Sequence, residues 1–290
     1  MKNDYVKETQ GYARPAPHLF RVRRRHPKWL VATLLLGAAV LLVVLLLRAL
    51  DYGQARQEYK ELAALVNDEP IATAAPTIAP QMPSDEAAAP LLPTVKPFHS
   101  ERIATLKKQN TDTVAWIDIS GTDIAYPVVQ GADNTYYETH SFSKKRRAAG
   151  AIFVDAWNTA TFTDFNTVIY GHHMKDGSMF SKLREYRHDA FLRTHKYIDI
   201  TLEHSLLQYK VFAAYECGAE MDFRGFGAAS ASERNAFLGR IARASVIATN
   251  AQANAEDRIL TLVTCTGGEA DRYWVVHAVL INGAQEVDMP

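Results

Sequence analysis

The chain has 290 residues, with 32 Lys plus Arg against 32 Asp plus Glu, a formal net charge of zero and two cysteines. That length suits one or two ordinary domains, and the charge balance gives no global positive field of the kind that points to nucleic acid. Two cysteines form no disulfide framework, although a single Cys217–Cys265 bridge is allowed by count; no Cys/His spacing suits zinc, so neither a metal nor another cofactor is expected.

Charge is unevenly placed at the N-terminus. Lys2, Lys7, Arg14, Arg21, Arg23, Arg24, Arg25 and Lys28 face only Asp4 and Glu8 within residues 1–28. An uncharged run follows from Trp29 to Leu47, interrupted only by Thr33 and Gly37. At about 1.5 Å per residue it nearly spans a hydrocarbon core of about 30 Å. Core helices are seldom so uniformly apolar, and a cleaved signal peptide has a shorter apolar stretch with small residues at its end, whereas this one ends Leu45-Leu46-Leu47-Arg48. The expectation is an uncleaved signal anchor at 29–47. Residues 1–28 are then cytoplasmic by the positive-inside rule, and everything after Arg48 lies outside the cell.

Residues 48–97 read as a juxtamembrane helix followed by a spacer. Tyr52, Ala55, Tyr59, Leu62, Ala63 and Val66 recur at helical spacing. Pro70, Pro76, Pro80, Pro83, Pro90, Pro93 and Pro97 then punctuate an Ala-rich stretch that suits a semi-extended tether. A folded domain is expected over 98–290. It opens with a short helix over Glu101–Gln109, with Ser100 near its start. Strand-like runs follow at 114–119, 124–129, 151–154, 167–170, 197–202, 208–215, 259–264 and 273–281. About eight short strands with mostly short connections predict a mostly β fold with added helices (α+β), built on a closed or nearly closed, antiparallel-rich barrel. A further helix is expected from Ser232 to Ile247, with Phe237, Leu238, Ile241 and Ala244 on one face.

The chemistry gathers at two strand ends. Ile259 to Val263 runs into Thr264-Cys265, and Thr266-Gly267-Gly268-Glu269-Ala270-Asp271 is turn chemistry leading to Arg272 and a second apolar strand. A hairpin there brings Arg272 back beside Cys265, and a guanidinium stabilises a thiolate. A strand-end cysteine is more often a buried small hydrophobe, so a base is needed. Thr167-Val168-Ile169-Tyr170 runs into Gly171-His172-His173, a histidine just past a strand end, where loops carry function.

Tyr170-Gly171-His172-x-Met174-Lys175-Asp176-Gly177-Ser178-Met179-Phe180, together with Thr261-Leu262-x-Thr264-Cys265 and Arg272-Tyr273, resembles the class B sortases. Gly150-Ala151-Ile152-Phe153-Val154-Asp155 and Asn166 extend the resemblance, which covers about residues 98–282. The helix before the cysteine strand and the anchor-plus-spacer arrangement also fit. By resemblance, Cys265 is the nucleophile, His172 the acid/base and Arg272 the family's arginine. Many members carry asparagine where this chain has His173, which leaves His173 as the second choice of imidazole. Thr264, Ser178 and Met179 are candidate groove residues, and Cys217 reads as a passive buried thiol.

The activity implied is cysteine transpeptidation. A C-terminal sorting motif of a surface protein, often of Asn-Pro-x-Thr type in class B members, is cleaved through a thioacyl-enzyme and passed to a peptidoglycan-precursor amine. The alternatives are a pilin polymerase using a pilin lysine, a cysteine hydrolase, and a non-enzymatic binding domain. Only nine residues follow Ile281, with no second membrane span, which weighs against the pilin class.

Overall fold

Eight strands close into a barrel in the computed structural model, which describes residues 28–67, 100–225, 227–265 and 272–285. The basic N-terminus, the Pro-rich spacer and the 266–271 turn expected from the sequence lie outside those residues. In chain order the elements are α1 (Lys28–Asn67), α2 (Ser100–Gln109), β1 (Thr113–Asp118), β2 (Ala125–Val129), α3 (Tyr136–Thr139), β3 (Ile152–Val154) and β4 (Asn166–Tyr170). A 3₁₀-helix (Ser181–Arg187), α4 (Asp189–Thr194), β5 (Tyr197–Thr201), β6 (Ser205–Gly218), α5 (Ala231–Ala244), β7 (Ile259–Cys265) and β8 (Arg272–Gln285) complete them. Neighbours around the barrel run β1-β2-β3-β4-β7-β8-β6-β5, and β5 returns to β1. Two pairs, β2–β3 and β4–β7, are parallel; the others are antiparallel.

Pleat alternation divides β4, β7 and β8 between two cores. Ile169, Leu260, Leu262, Val276 and Ala278 belong to one apolar cluster, while Val168, Ile259, Val263, Val275 and Val279 belong to another. Residues on a strand alternate between faces, so strands covered on both faces read as continuous apolar runs. That is why Ile259–Val263 lacks the alternation of a half-exposed strand. Helix α5 covers the second face with Phe237, Leu238 and Ile241, all buried. Its N-cap is Ser230, two residues before the expected start. The Ser230 hydroxyl accepts from the Glu233 N–H while the Glu233 carboxylate accepts from the Ser230 N–H at 2.8 Å. This Ser-x-x-Glu box satisfies two donors that a helix start otherwise leaves bare.

The domain boundary differs from the one expected at residue 98. Residues 48–67 of α1 belong to the same folded unit as the barrel, with Ala55, Tyr59 and Leu62 buried in its main core. Tyr59 donates its hydroxyl proton to the Gly150 carbonyl at 2.7 Å, and its ring meets Tyr126 edge-on. Glu58 accepts from the Ser141 and Ser143 hydroxyls at 3.0 and 2.7 Å, and Asp51 accepts from the Ala148 N–H at 3.0 Å. These partners lie 83 to 97 residues away in sequence, beyond any local signal.

Polar side chains also sit within the second core. Asn166, Thr261, Tyr215 and His277 are all buried, and His277 bonds Thr261 through Nδ1 and Tyr215 through Nε2, each at 2.8 Å. Burial pushes the His277 pKa down to about 3, far below the ordinary value of a histidine in the unfolded chain. The unfolded state therefore binds a proton that the native state refuses. Stability from this residue is complete above about pH 6.5 and is lost as pH falls from there toward 3, by at most about 1.4 kcal/mol per pH unit. Burial and Arg184 lower the His173 pKa as well, with the same sign. The melting temperature should fall between pH 7 and pH 5, above the range where carboxylates titrate. His277→Gln should flatten that slope, and an unchanged slope would exclude His277 as its source.

Candidate active site

Parallel pairing of β4 with β7 sets the site. Tyr170 lies opposite Val263, and the Gly171 N–H donates to the Val263 carbonyl at 3.1 Å, which carries the ladder one residue beyond β4. His172 comes next on one strand and Cys265 ends the other, so the two backbone positions lie at the same end of adjacent strands. On the other side of β7, Cys265 is opposite Tyr273, and Arg272 begins β8 beside it. Cys265, His172 and Arg272 are thus drawn from three neighbouring strands to one end of the barrel.

Glycine is required before the histidine. A Cβ on Gly171 would lie 2.8 Å from the Phe180 ring and closer still to the Ile152 side chain. The His172 ring is half-buried, with Nε2 2.7 Å from the Glu138 carbonyl oxygen. A carbonyl only accepts, so Nε2 carries the hydrogen and Nδ1 is the basic nitrogen of the neutral ring. His173 is placed differently. It bridges to Met179, and its Nδ1 is buried with no hydrogen-bond partner among the described residues.

The Arg272 Nε donates to Glu216 Oε1 on β6 at 2.8 Å, a contact that orients the guanidinium plane. Both side chains are more than a third exposed, so the pair adds little to stability.

A cavity of about 330 Å³ opens over the strand ends, lined by His172, Thr264, Tyr273, Glu138, Asn134 and the turn 219–224. Thr264 is thus among the residues that line this cavity. Ser178 and Met179, expected there, do not line it. They wall a separate cavity of about 290 Å³ beside Ala55 and Tyr59, where the Met179 N–H donates to Tyr126 Oη at 2.9 Å. The turn folds that stretch back, leaving only its first residues at the groove. Arg224 was not marked by any sequence signal. Its Nε donates to Tyr170 Oη at 2.8 Å, and Tyr170 donates in turn to Asp155 Oδ2, also at 2.8 Å.

Register also decides the question of a bridge. Cys217 on β6 and Cys265 on β7 both lie opposite Tyr273, one on each side of β8. Two strand spacings of about 4.8 Å separate them by roughly 10 Å, beyond the roughly 7 Å that a disulfide spans between Cα atoms. Cys217 is a free, buried thiol, and desolvation pushes its pKa up to about 11. A thiol held protonated is a poor nucleophile. Gly171→Ala should cost about 1–3 kcal/mol through overpacking against Phe180 and Ile152; an unshifted denaturant midpoint would mean that the loop moves aside freely.

The sequence profile of the sortase domain matches residues 117–281. Sortase B of Listeria monocytogenes is 38% identical over 167 residues, 57% of this chain and 67% of that protein. Among solved structures, the Staphylococcus aureus sortase B–substrate complex superposes with a TM-score of 0.61 at 33% identity, covering 64% of this chain and 87% of that one. Sortase B from Bacillus anthracis, solved in complex with AAEK1, gives a TM-score of 0.65 at 28% identity over 80% of this chain and 99% of its own. A closed eight-strand barrel, the Thr261–Cys265 strand beside a glycine–histidine turn and these relatives agree: the chain belongs to the sortase family, in its class B branch.

Proposed function

We propose that Cys265 is the nucleophile, His172 the general acid and base and Arg272 the oxyanion donor of a cysteine transpeptidase that joins surface proteins to a cell-wall amine. The observation that supports this reading most directly is the parallel β4–β7 register, which brings His172 and Cys265 to the same end of neighbouring strands. The Cys265 thiolate adds to a backbone carbonyl carbon within the sorting motif. Arg272 offers a charge-assisted hydrogen bond to the oxygen that becomes an anion, a fixed charge that needs no reorganisation during reaction. His172 as imidazolium gives its proton to the leaving nitrogen, the peptide bond breaks, and a thioacyl-enzyme remains. An incoming amine attacks that thioester, loses its proton to His172 and releases the thiolate.

Thr264 lines the groove, which suits contact with the bound motif. The acceptor in this reading is a peptidoglycan-precursor amine rather than water or a pilin lysine. A relative solved as the Staphylococcus aureus sortase B–substrate complex supports a substrate-binding role for this chain.

Location follows the same reasoning. Among the described residues, one helix is long and apolar enough to cross a membrane, over Lys28–Leu65. With the basic residues before it, we assign a single-pass anchor at 29–47, a cytoplasmic N-terminus and an extracellular catalytic domain.

The test uses the full chain in detergent with quenched-fluorescent peptides of Asn-Pro-x-Thr and related types, with and without an added amine. Wild type should cleave one motif and yield the amine-linked product. Cys265→Ala and His172→Ala should each abolish this, and Arg272→Ala should lower turnover by about 10²-fold or more. Near-wild-type turnover by Arg272→Ala would remove it from the site. Cleavage with no amine-linked product would identify a hydrolase.

A further inference from the structure

We propose that Asn166, Thr261, His277 and Tyr215 are positioning residues for the substrate groove, a buried hydrogen-bond chain that fixes the groove wall at Phe223–Arg224 from behind. The inference rests on reading that groove as the site where the sorting peptide binds.

Donor counting gives the chain one direction. Asn166 Nδ2 lies 3.3 Å from the Phe223 carbonyl oxygen and 2.7 Å from that of Arg224. Carbonyl oxygens only accept, so the NH₂ of the amide faces them and Oδ1 turns toward Thr261, whose hydroxyl donates to it at 2.7 Å. The single Thr261 hydrogen is then committed, so Oγ1 accepts from His277 Nδ1–H at 2.8 Å. His277 Nε2 is left as a bare lone pair and accepts from the Tyr215 hydroxyl at 2.8 Å. The links cross four adjacent strands, β6, β8, β7 and β4, and Phe237 of α5 closes over His277 edge-on. All four side chains are buried, Asn166 at 3% exposure and the other three at 0%.

The chain terminates on main-chain oxygens of two residues that line the groove. Arg224 leaves that point and bonds Tyr170, two residues before His172, while the Phe223 ring packs against Tyr273, the partner of Cys265. The wall is therefore held from behind by Asn166 and from the front by Tyr170. If Asn166 swings, the wall and the Arg224 guanidinium move relative to His172. A buried amide cannot swing while its Oδ1 is bonded to Thr261, because breaking that bond leaves a buried polar atom unmet. The network holds the wall in the shape that receives the peptide before the peptide arrives.

Thr261→Val keeps the side-chain shape and removes the donor; Thr261→Ser keeps the donor. In the full chain in detergent, Thr261→Val should raise KM for the cleaved peptide by about fivefold or more while kcat stays within about twofold. Thr261→Ser should restore KM. Amide hydrogen exchange in 219–225 should quicken in the Val variant and not in the Ser variant. Tyr215→Phe, which breaks the far end, should show smaller changes of the same sign and carries the test should Thr261→Val fail to fold. Unchanged exchange at 219–225 with unchanged KM would overturn the proposal, as would a Ser variant that behaves like Val. If wild type cleaves no peptide, the reading of the groove fails, and the exchange measurement still decides whether the chain holds the wall.

Discussion

Everything at the groove depends on two strands pairing in parallel. Strands that succeed one another in an antiparallel hairpin place their C-terminal ends at opposite edges of a sheet, and a base carried past one could not reach a thiol carried at the end of the other. Parallel β4 and β7 put both ends on one rim, and the crossover needed to return in parallel supplies β5, β6 and α5. The groove wall at 219–224 lies within that crossover. One geometric requirement thus provides both the juxtaposition of the proposed reactive positions and the material that walls them.

Burying both faces of β4, β7 and β8 has a chemical effect as well as a stabilising one. With apolar clusters on either side, the strand that carries Cys265 is held by packing on both its faces. The polar row through Asn166, Thr261, His277 and Tyr215 is tolerated because each donor meets an acceptor. Such a row adds direction, which apolar contacts lack, and it reaches the backbone of the wall.

Much of this was legible in the sequence, and the losses have physical causes. Strand positions were readable because β-branched and aliphatic runs bounded by turn residues are local signals, and the eight runs agree with the eight strands. His172, Cys265 and Arg272 stood out because each sits at the end of such a run. The β4–β7 direction was not readable, since nothing local separates a parallel strand from an antiparallel one once both its faces are covered. Ser178 and Met179 were assigned to the groove by nearness to His172 in sequence, but the turn takes them to a different cavity. The docking of Asp51, Glu58 and Tyr59 escaped notice because amphipathic spacing identifies a helix and not its partner. Arg224 was one arginine among many until Tyr170 and Asp155 were found against it.

Long-range pairing also shapes how the protein is made. Val168 waits for Thr261, a separation of 261 − 168 = 93 residues. At ribosomal speeds of about 5–20 residues per second, that is an interval on the order of 5–20 s during which β4 has been synthesised and its partner has not. Its edge toward β7 then carries unpaired backbone groups beside Val168 and Ile169, a template for pairing with another nascent chain. The arrangement that joins β4 to β7 in the finished protein thus leaves its apolar edge exposed longest during biosynthesis, so yield should depend on how well holding factors shield that edge until residue 265 has emerged.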